Sequence, residues 1–345
     1  MVIFFAAKFR AAIYIQRQRM VLSVSGDCKP LKRICFFKKG IIMRLVTRSD
    51  FDGLICGMLL KEAEVIDSWI FVHPKDLQDG LFTATENDVL ANVPYVKGCG
   101  MWFDHHASEK DRVGWNVEVK GESREAPSAA HIIYEFYGGD KRFKNYAAMI
   151  EAVDKVDSGN LTKEEILDPT GWILLGFISD PRTGLGRFRD FRISNYQLME
   201  ELINLFRNKS IEEILALPDV AERISLYKEQ TVFFVDMLKK HTRTDANVII
   251  TDLRGLEIIY TGNRFLVYSL FPEQNISVWI VDGKQKMNVA LACGHSILNR
   301  TSKTNVGDLM LRYGGGGHPM VGTCQILYND ADRVIGEIIS QMKLE

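Results

Sequence analysis

The chain has 345 residues, 46% hydrophobic and 25% charged, with a formal net charge of −1; that is ordinary globular composition, long enough for two cores. Near-neutral charge excludes a protein that grips long nucleic acid by its overall field, so any phosphate affinity has to come from a local site or a metal. Six cysteines (28, 35, 56, 99, 293, 324) with no C-x-x-C pair exclude zinc ribbons and disulfide frameworks, and read as reduced, mostly buried thiols.

Residues 1–42 stand apart. They hold nine Lys/Arg against the single acid Asp27, about +8, which leaves about −9 for residues 43–345. Apolar stretches such as Val2–Ala7 are shorter than a signal-peptide core of about 7–15 residues or a membrane span of about 20. Neither secretion nor insertion is expected, and the segment reads as a basic leader, disordered or outside the fold, because Met43 sits directly before the first core strand.

From residue 43 the chain alternates: strand-like Arg44–Thr47, helix-like Gly53–Ala63, strand-like Trp69–Val72 and Gly100–Phe103, helix-like Ser128–Tyr137. Such alternation predicts an α/β domain with a mostly parallel sheet, with ligands beyond the carboxyl ends of its strands. Helical periodicity then dominates at Phe143–Val156, Tyr196–Phe206, Ser210–Leu217 and Val220–Lys240. Beyond His241 the runs Val248–Thr251, Phe265–Leu270, Val278–Val281 and Asn288–Cys293 read as strands, followed by helical Val306–Tyr313, a glycine run and a closing helix near Asp330–Lys343. The predicted organisation is an α/β domain over 43–219, a helical connector over 220–245 and a smaller α+β domain over 246–345.

Two of the predicted strand ends carry chemistry. Asp50 and Asp52 flank Phe51 in the loop after the first strand, where either also reads as a helix N-cap. Asp104-His105-His106 follows the buried run Met101-Trp102-Phe103, and tandem histidines beside a strand-end Asp are harder to read as caps, because all three are metal-ligand types. Far downstream, Gly314-Gly315-Gly316-Gly317-His318 gives a run whose backbone N–H groups can surround a phosphate. His73, His131, His241 and His295 read as structural or solvated, and Asp180–Gly184 as a turn.

Taken together, residues 43–345 resemble the DHH phosphoesterase superfamily, in the branch with a DHH-associated C-terminal domain. The resemblance implies a metal-dependent phosphoesterase, with Asp50, Asp52, Asp88 and His105 as metal ligands and Asp88 bridging two ions. The fourth-motif acid falls on Asp154 or Asp157. Asp104 would support the site, and His106 would contact phosphate or protonate the leaving oxygen. Arg300 and the run Gly315, Gly316, Gly317 and His318 would hold substrate. Implied cofactors are two Mn²⁺ per chain, with Mg²⁺ as the alternative ion.

One position departs from the family's first motif, where Arg48 stands in place of the usual His. A guanidinium stays protonated and cannot ligate metal. Either another group completes that metal site, or Arg48 supplies fixed positive charge in a catalytic role, or the chain is a nucleotide-binding regulator that has lost hydrolysis. The substrates implied are short oligonucleotides, dinucleotides or polyphosphate, the last as an exopolyphosphatase-like alternative. A cytoplasmic protein with no membrane partner is expected, with a homodimer among the states its relatives adopt.

Overall fold

The computed structural model describes residues 43–344, so the basic leader and its reading lie outside the described residues. Strand β1 (Met43–Thr47) ends in three buried residues, Leu45, Val46 and Thr47, as a central strand covered on both faces requires. Helix α1 (Phe51–Glu62) follows it, and β2 (Ile66–Phe71), α2 (Pro74–Gln78), β3 (Asp88–Ala91), β4 (Met101–Asp104), α3 (Ala107–Val113) and β5 (Lys120–Ser123) complete the first sheet. Its order is β2-β1-β3-β4-β5, parallel throughout. Side-chain alternation sends Leu45, Val89, Ala91 and Phe103 to one face and Val46, Leu90 and Trp102 to the other. The loops after β1, β3 and β4 therefore share one edge of the sheet.

Helices α4 (Ala129–Phe136), α5 (Asp140–Phe143), α6 (Ala147–Ser158), α7 (Lys163–Leu167), α8 (Gly171–Ser179), α9 (Asn195–Leu205) and α10 (Ile211–Leu215) follow the first sheet. Helix α11 (Pro218–His241), the predicted connector, runs directly into β6 (Thr242–Asp245). The second sheet adds β7 (Val248–Asp252), β8 (Ile276–Asp282), β9 (Asn288–His295), β10 (Gly316–His318) and β11 (Val321–Leu327), in the order β10-β11-β9-β8-β7-β6. Only β7 and β8 are parallel in it. Helix α13 (Val306–Leu311) and the closing helix α14 (Ala331–Met342) share a core with this sheet.

Phe265–Leu270 differs from its strand expectation: Leu266–Leu270 is a short helix, α12. Leu266, Val267 and Tyr268 are consecutive and buried, and they join the same core as α6 and α8. A run that is apolar on every side carries no period, so its sequence cannot separate a buried strand from a buried helix. That shared core, which also takes in Ile249 and Leu253, joins the two sheets, and the described residues all fall within one compact unit. Cys56, Cys99, Cys293 and Cys324 are buried and unpaired. Among the described residues, no helix is long and apolar enough to cross a membrane.

Candidate active site

The loop after β1 is locked by close packing. A Cβ on Gly53 would come within 2.0 Å of the Arg48 carbonyl oxygen, so only glycine lets α1 start here. Asp50 caps that helix, its Oδ1 accepting from Gly53 N at 3.1 Å. Asp52, 1% exposed, points the other way, to the start of α4, where its oxygens accept the N–H groups of Ala129 and Ala130 at 3.0 and 2.8 Å. Ser128 caps α4 through His131 N, so this helix presents its positive end to Asp52.

At the end of β4, Asp104 is fully buried, and its Oδ1 accepts from His106 Nδ1 at 2.9 Å. His105 Nδ1 lies 3.2 Å from the Ala126 carbonyl oxygen, which only accepts, so that nitrogen carries the proton and Nε2 is left as the ligand atom. Nε2 is 3.1 Å from Asp157 Oδ2 and 3.7 Å from Asp52 Oδ2, yet makes no aligned hydrogen bond to either. Asp52, His105 and Asp157 thus offer three ligand atoms within 4.8 Å of one another.

The electrostatics of the triad call for a cation. Burial pushes Asp52 up to about 7, and the neighbouring Asp157 charge adds to the effect. Burial would lower His105, but Asp157, Asp52 and Asp104 outweigh it and lift the imidazole to about 10. Burial would raise Asp157, and His105 instead draws it down to about 2. A proton on His105 is what balances the two carboxylates here. A divalent ion does so better, because it can take one ligand atom from each side chain. The donor set, one imidazole and two carboxylates, fits Mn²⁺ or Mg²⁺.

Of the expected ligands, Asp50, Asp52, His105 and Asp157 meet at this edge. Asp88 does not. It opens β3, at the opposite end of a four-residue strand and about 10 Å of strand rise from the site edge. There it accepts from Arg44 Nε at 2.8 Å and from Thr85 N and Oγ1 at 2.8 and 3.0 Å, so the expectation of a bridging ligand is corrected. The residue that follows β3 is Asn92, whose Nδ2 donates to Asp50 Oδ1 at 2.9 Å. Asp154, one turn before Asp157 on α6, is taken by Ser128 Oγ at 2.6 Å and His131 Nδ1 at 2.7 Å, outside the triad. Arg48 reaches Asp50 Oδ2 with Nε at 3.0 Å.

The second sheet closes over this edge. A cleft of about 490 Å³ runs from Asp157 and Gly159 to Trp279 and Met320, and Arg182, Arg264 and Arg300 line it together with Phe265 and Tyr268. Arg300 lines the cleft, and its guanidinium donates to the carbonyls of Gly159 at 2.7 Å and Ile297 at 3.0 Å. The glycine run is not an open cradle. Gly316, Gly317 and His318 form the edge strand β10, and a Cβ on Gly315 or Gly317 would come within 2.1 or 2.2 Å of the β11 backbone. This packing sets the His318 ring 6.3 Å from that of His106.

Sequence reasoning missed Asn92, Arg264, Phe265, Tyr268 and Trp279. Asn92 had a signal: the residue after a buried Val-Leu-Ala run is where a parallel sheet places ligands, and Asp88 precedes that run. The cleft residues had none, because they lie on separate elements and converge only in the fold.

No protein-family model matches the chain, and neither does any curated protein sequence. Among solved structures, a pGpG-specific phosphodiesterase, PggH, from Vibrio cholerae is 48% identical over 88% of this chain and 99% of that one, with a TM-score of 0.75. A DHH domain from a member of a family of ribosomal proteins is 13% identical over 88% of this chain and 87% of that one, with a TM-score of 0.58, a likeness of fold alone. Identity of 48% across nearly the whole of a phosphodiesterase is more than shared architecture, and the chain belongs to the DHH superfamily of metal-dependent phosphoesterases.

Proposed function

We propose that the protein hydrolyses the phosphodiester bond of a short linear dinucleotide, with pGpG as the first candidate, using Mn²⁺ or Mg²⁺. The observation that carries this reading is the 48% identity, over 99% of its length, to a phosphodiesterase specific for pGpG. Asp52, His105 and Asp157 would hold the ion. When bound, it supplies an activated water and neutralises charge at the phosphorus.

The remaining chemistry belongs to the chain's own residues. Burial would lower His106, but the Asp104 carboxylate that takes its Nδ1 proton outweighs it and favours the imidazolium, whose Nε2 proton is the one handed to the leaving oxygen. Arg182 and Arg300 face the phosphates from the cleft wall. Phe265, Tyr268 and Trp279 offer flat apolar surface of the kind on which bases stack. Polyphosphate has no use for such a wall, which favours nucleotides over the exopolyphosphatase alternative.

The test is product release from pGpG, pApA, a cyclic dinucleotide, a longer RNA and polyphosphate, each with Mn²⁺ and with chelator. Metal-dependent cleavage of a linear dinucleotide ahead of the others is expected. Turnover of polyphosphate alone, or of no substrate at all, would overturn the proposal.

A further inference from the structure

We infer that this site works with one resident divalent cation, and that the Arg48 guanidinium supplies the positive charge a second cation would bring; the inference rests on the metal-dependent reading above. The triad Asp52, His105 and Asp157 suits one ion. A second would have to sit on Asp50 and on what surrounds it, and those groups do not fit.

Asp50 is 5% exposed and nearly spent as an acceptor. Its Oδ1 takes Gly53 N at 3.1 Å and Asn92 Nδ2 at 2.9 Å, and its Oδ2 is ion-paired with Arg48 Nε at 3.0 Å. Reversing the Asn92 amide would set its oxygen against a carboxylate oxygen, so the nitrogen has to face Asp50. Arg48 stays protonated and offers no lone pair. The acid expected to bridge, Asp88, is bound at the other end of the sheet. Mn²⁺ and Mg²⁺ prefer about six oxygen-type ligands, whereas beyond the carboxylates of Asp52 and Asp157, already engaged by the first ion, this position adds only Asp50 Oδ2, which is paired with a guanidinium, and the nitrogen groups of Arg48 and Asn92.

The space agrees with the donors. The gap among Asp50, Asp52, Asp157 and Arg182 is about 10 Å³, and the Arg182 guanidinium on its wall opposes a further cation there. Arg48 is half-buried and anchored by Asp50 at the same edge, so its charge is in place before any ligand arrives. A fixed guanidinium there needs no loading and acts on the charge that develops on the phosphoryl oxygens.

The experiment is a Mn²⁺ titration of the full chain by equilibrium dialysis, with electron paramagnetic resonance of the loaded protein. One Mn²⁺ per chain with an uncoupled six-line signal is expected. Two per chain, with the broadened signal of a coupled pair, would overturn the inference while leaving the metal-dependent reading intact; none would overturn both. Arg48→Ala provides an independent arm. Its kcat is expected to fall by about 100-fold or more, while affinity for the first Mn²⁺ does not fall, because Arg48 is not among that ion's ligands and removing its charge relieves repulsion. A variant with unchanged kcat would remove Arg48 from the role given to it.

Discussion

Asp154 and Asp157 lie one turn apart on α6 and have different partners. Asp157 points at His105 and Asp52, whereas Asp154 is held by Ser128 and His131. Asp157→Asn is therefore expected to lower Mn²⁺ affinity by more than the roughly 10–100-fold typical of losing an outer-shell partner, and Asp154→Asn by no more than that. Calorimetric titration of both variants checks the order, and equal losses would contradict it. Asp88→Ala is expected to keep kcat within about threefold, because it lies at the far end of β3, about 10 Å of strand rise from the site edge, and to lose about 1–2 kcal/mol of stability with its bonds to half-exposed Arg44 and to Thr85. Loss of turnover without unfolding would restore Asp88 to the site. Residue types alone could nominate these acids. The choice among them needed strand direction, which a four-residue run such as Asp88–Ala91 barely encodes.

Between elements, the connection that matters joins α8 to the loop before α12. Asp180 caps the turn after α8, its Oδ1 accepting from Arg182 N at 2.8 Å, and its Oδ2 accepts from Arg264 Nη1 at 2.6 Å. Burial alone would raise the Asp180 pKa; Arg182 and Arg264 outweigh it and hold the carboxyl well below the usual carboxylate range. A depressed folded-state pKa means the group stabilises the fold fully above its unfolded value, near 4, and ceases to do so as pH falls through the folded value. Stability measured by urea unfolding is expected to fall steadily below pH about 4. Asp180→Asn should lose about 1–3 kcal/mol at pH 7, the range for hydrogen bonds to a charged group whose partners are partly exposed, and its acid limb should be shallower by up to one proton. A variant with the wild-type acid limb would show that this carboxylate does not link proton binding to folding. The sequence shows Asp180-Pro181-Arg182 as a turn. Its partner Arg264 is 84 residues away, beside the segment whose apolar run conceals a helix, so neither period nor spacing could pair them.

Across the whole molecule, the cleft exists only where the second sheet meets the first. Most of the first sheet's strands, the connector helix and the closing helix are legible as periodic runs, because each has one apolar face to bury. The closed cleft is not, since its lining comes from the end of α6, the turn after α8, α12 and strands of the second sheet. Arg300 is the tie that spans the two parts, its guanidinium donating to the carbonyl of Gly159, the left-handed cap that ends α6 two residues after Asp157. A Cβ on Gly159 would come within 3.0 Å of Ile297, so the cap and the C-terminal half are fitted closely. Arg300 thus lines the cleft and ties down the element that carries Asp157, and a role in recognition would act on binding while a role in positioning would act on turnover. If recognition dominates, Arg300→Ala raises KM by about 10-fold or more, the cost of one charge-assisted hydrogen bond, and kcat stays within about threefold, as when only uniform binding is removed. Trp279 lies in the same cleft and reports binding without catalysis, since dinucleotide added to metal-free protein should quench its fluorescence. The expected result is a parallel weakening of that quench and of KM in Arg300→Ala. A fall in kcat with the quench unchanged would instead assign Arg300 to holding α6, and the cleft would then recognise phosphate through Arg182 and Arg264.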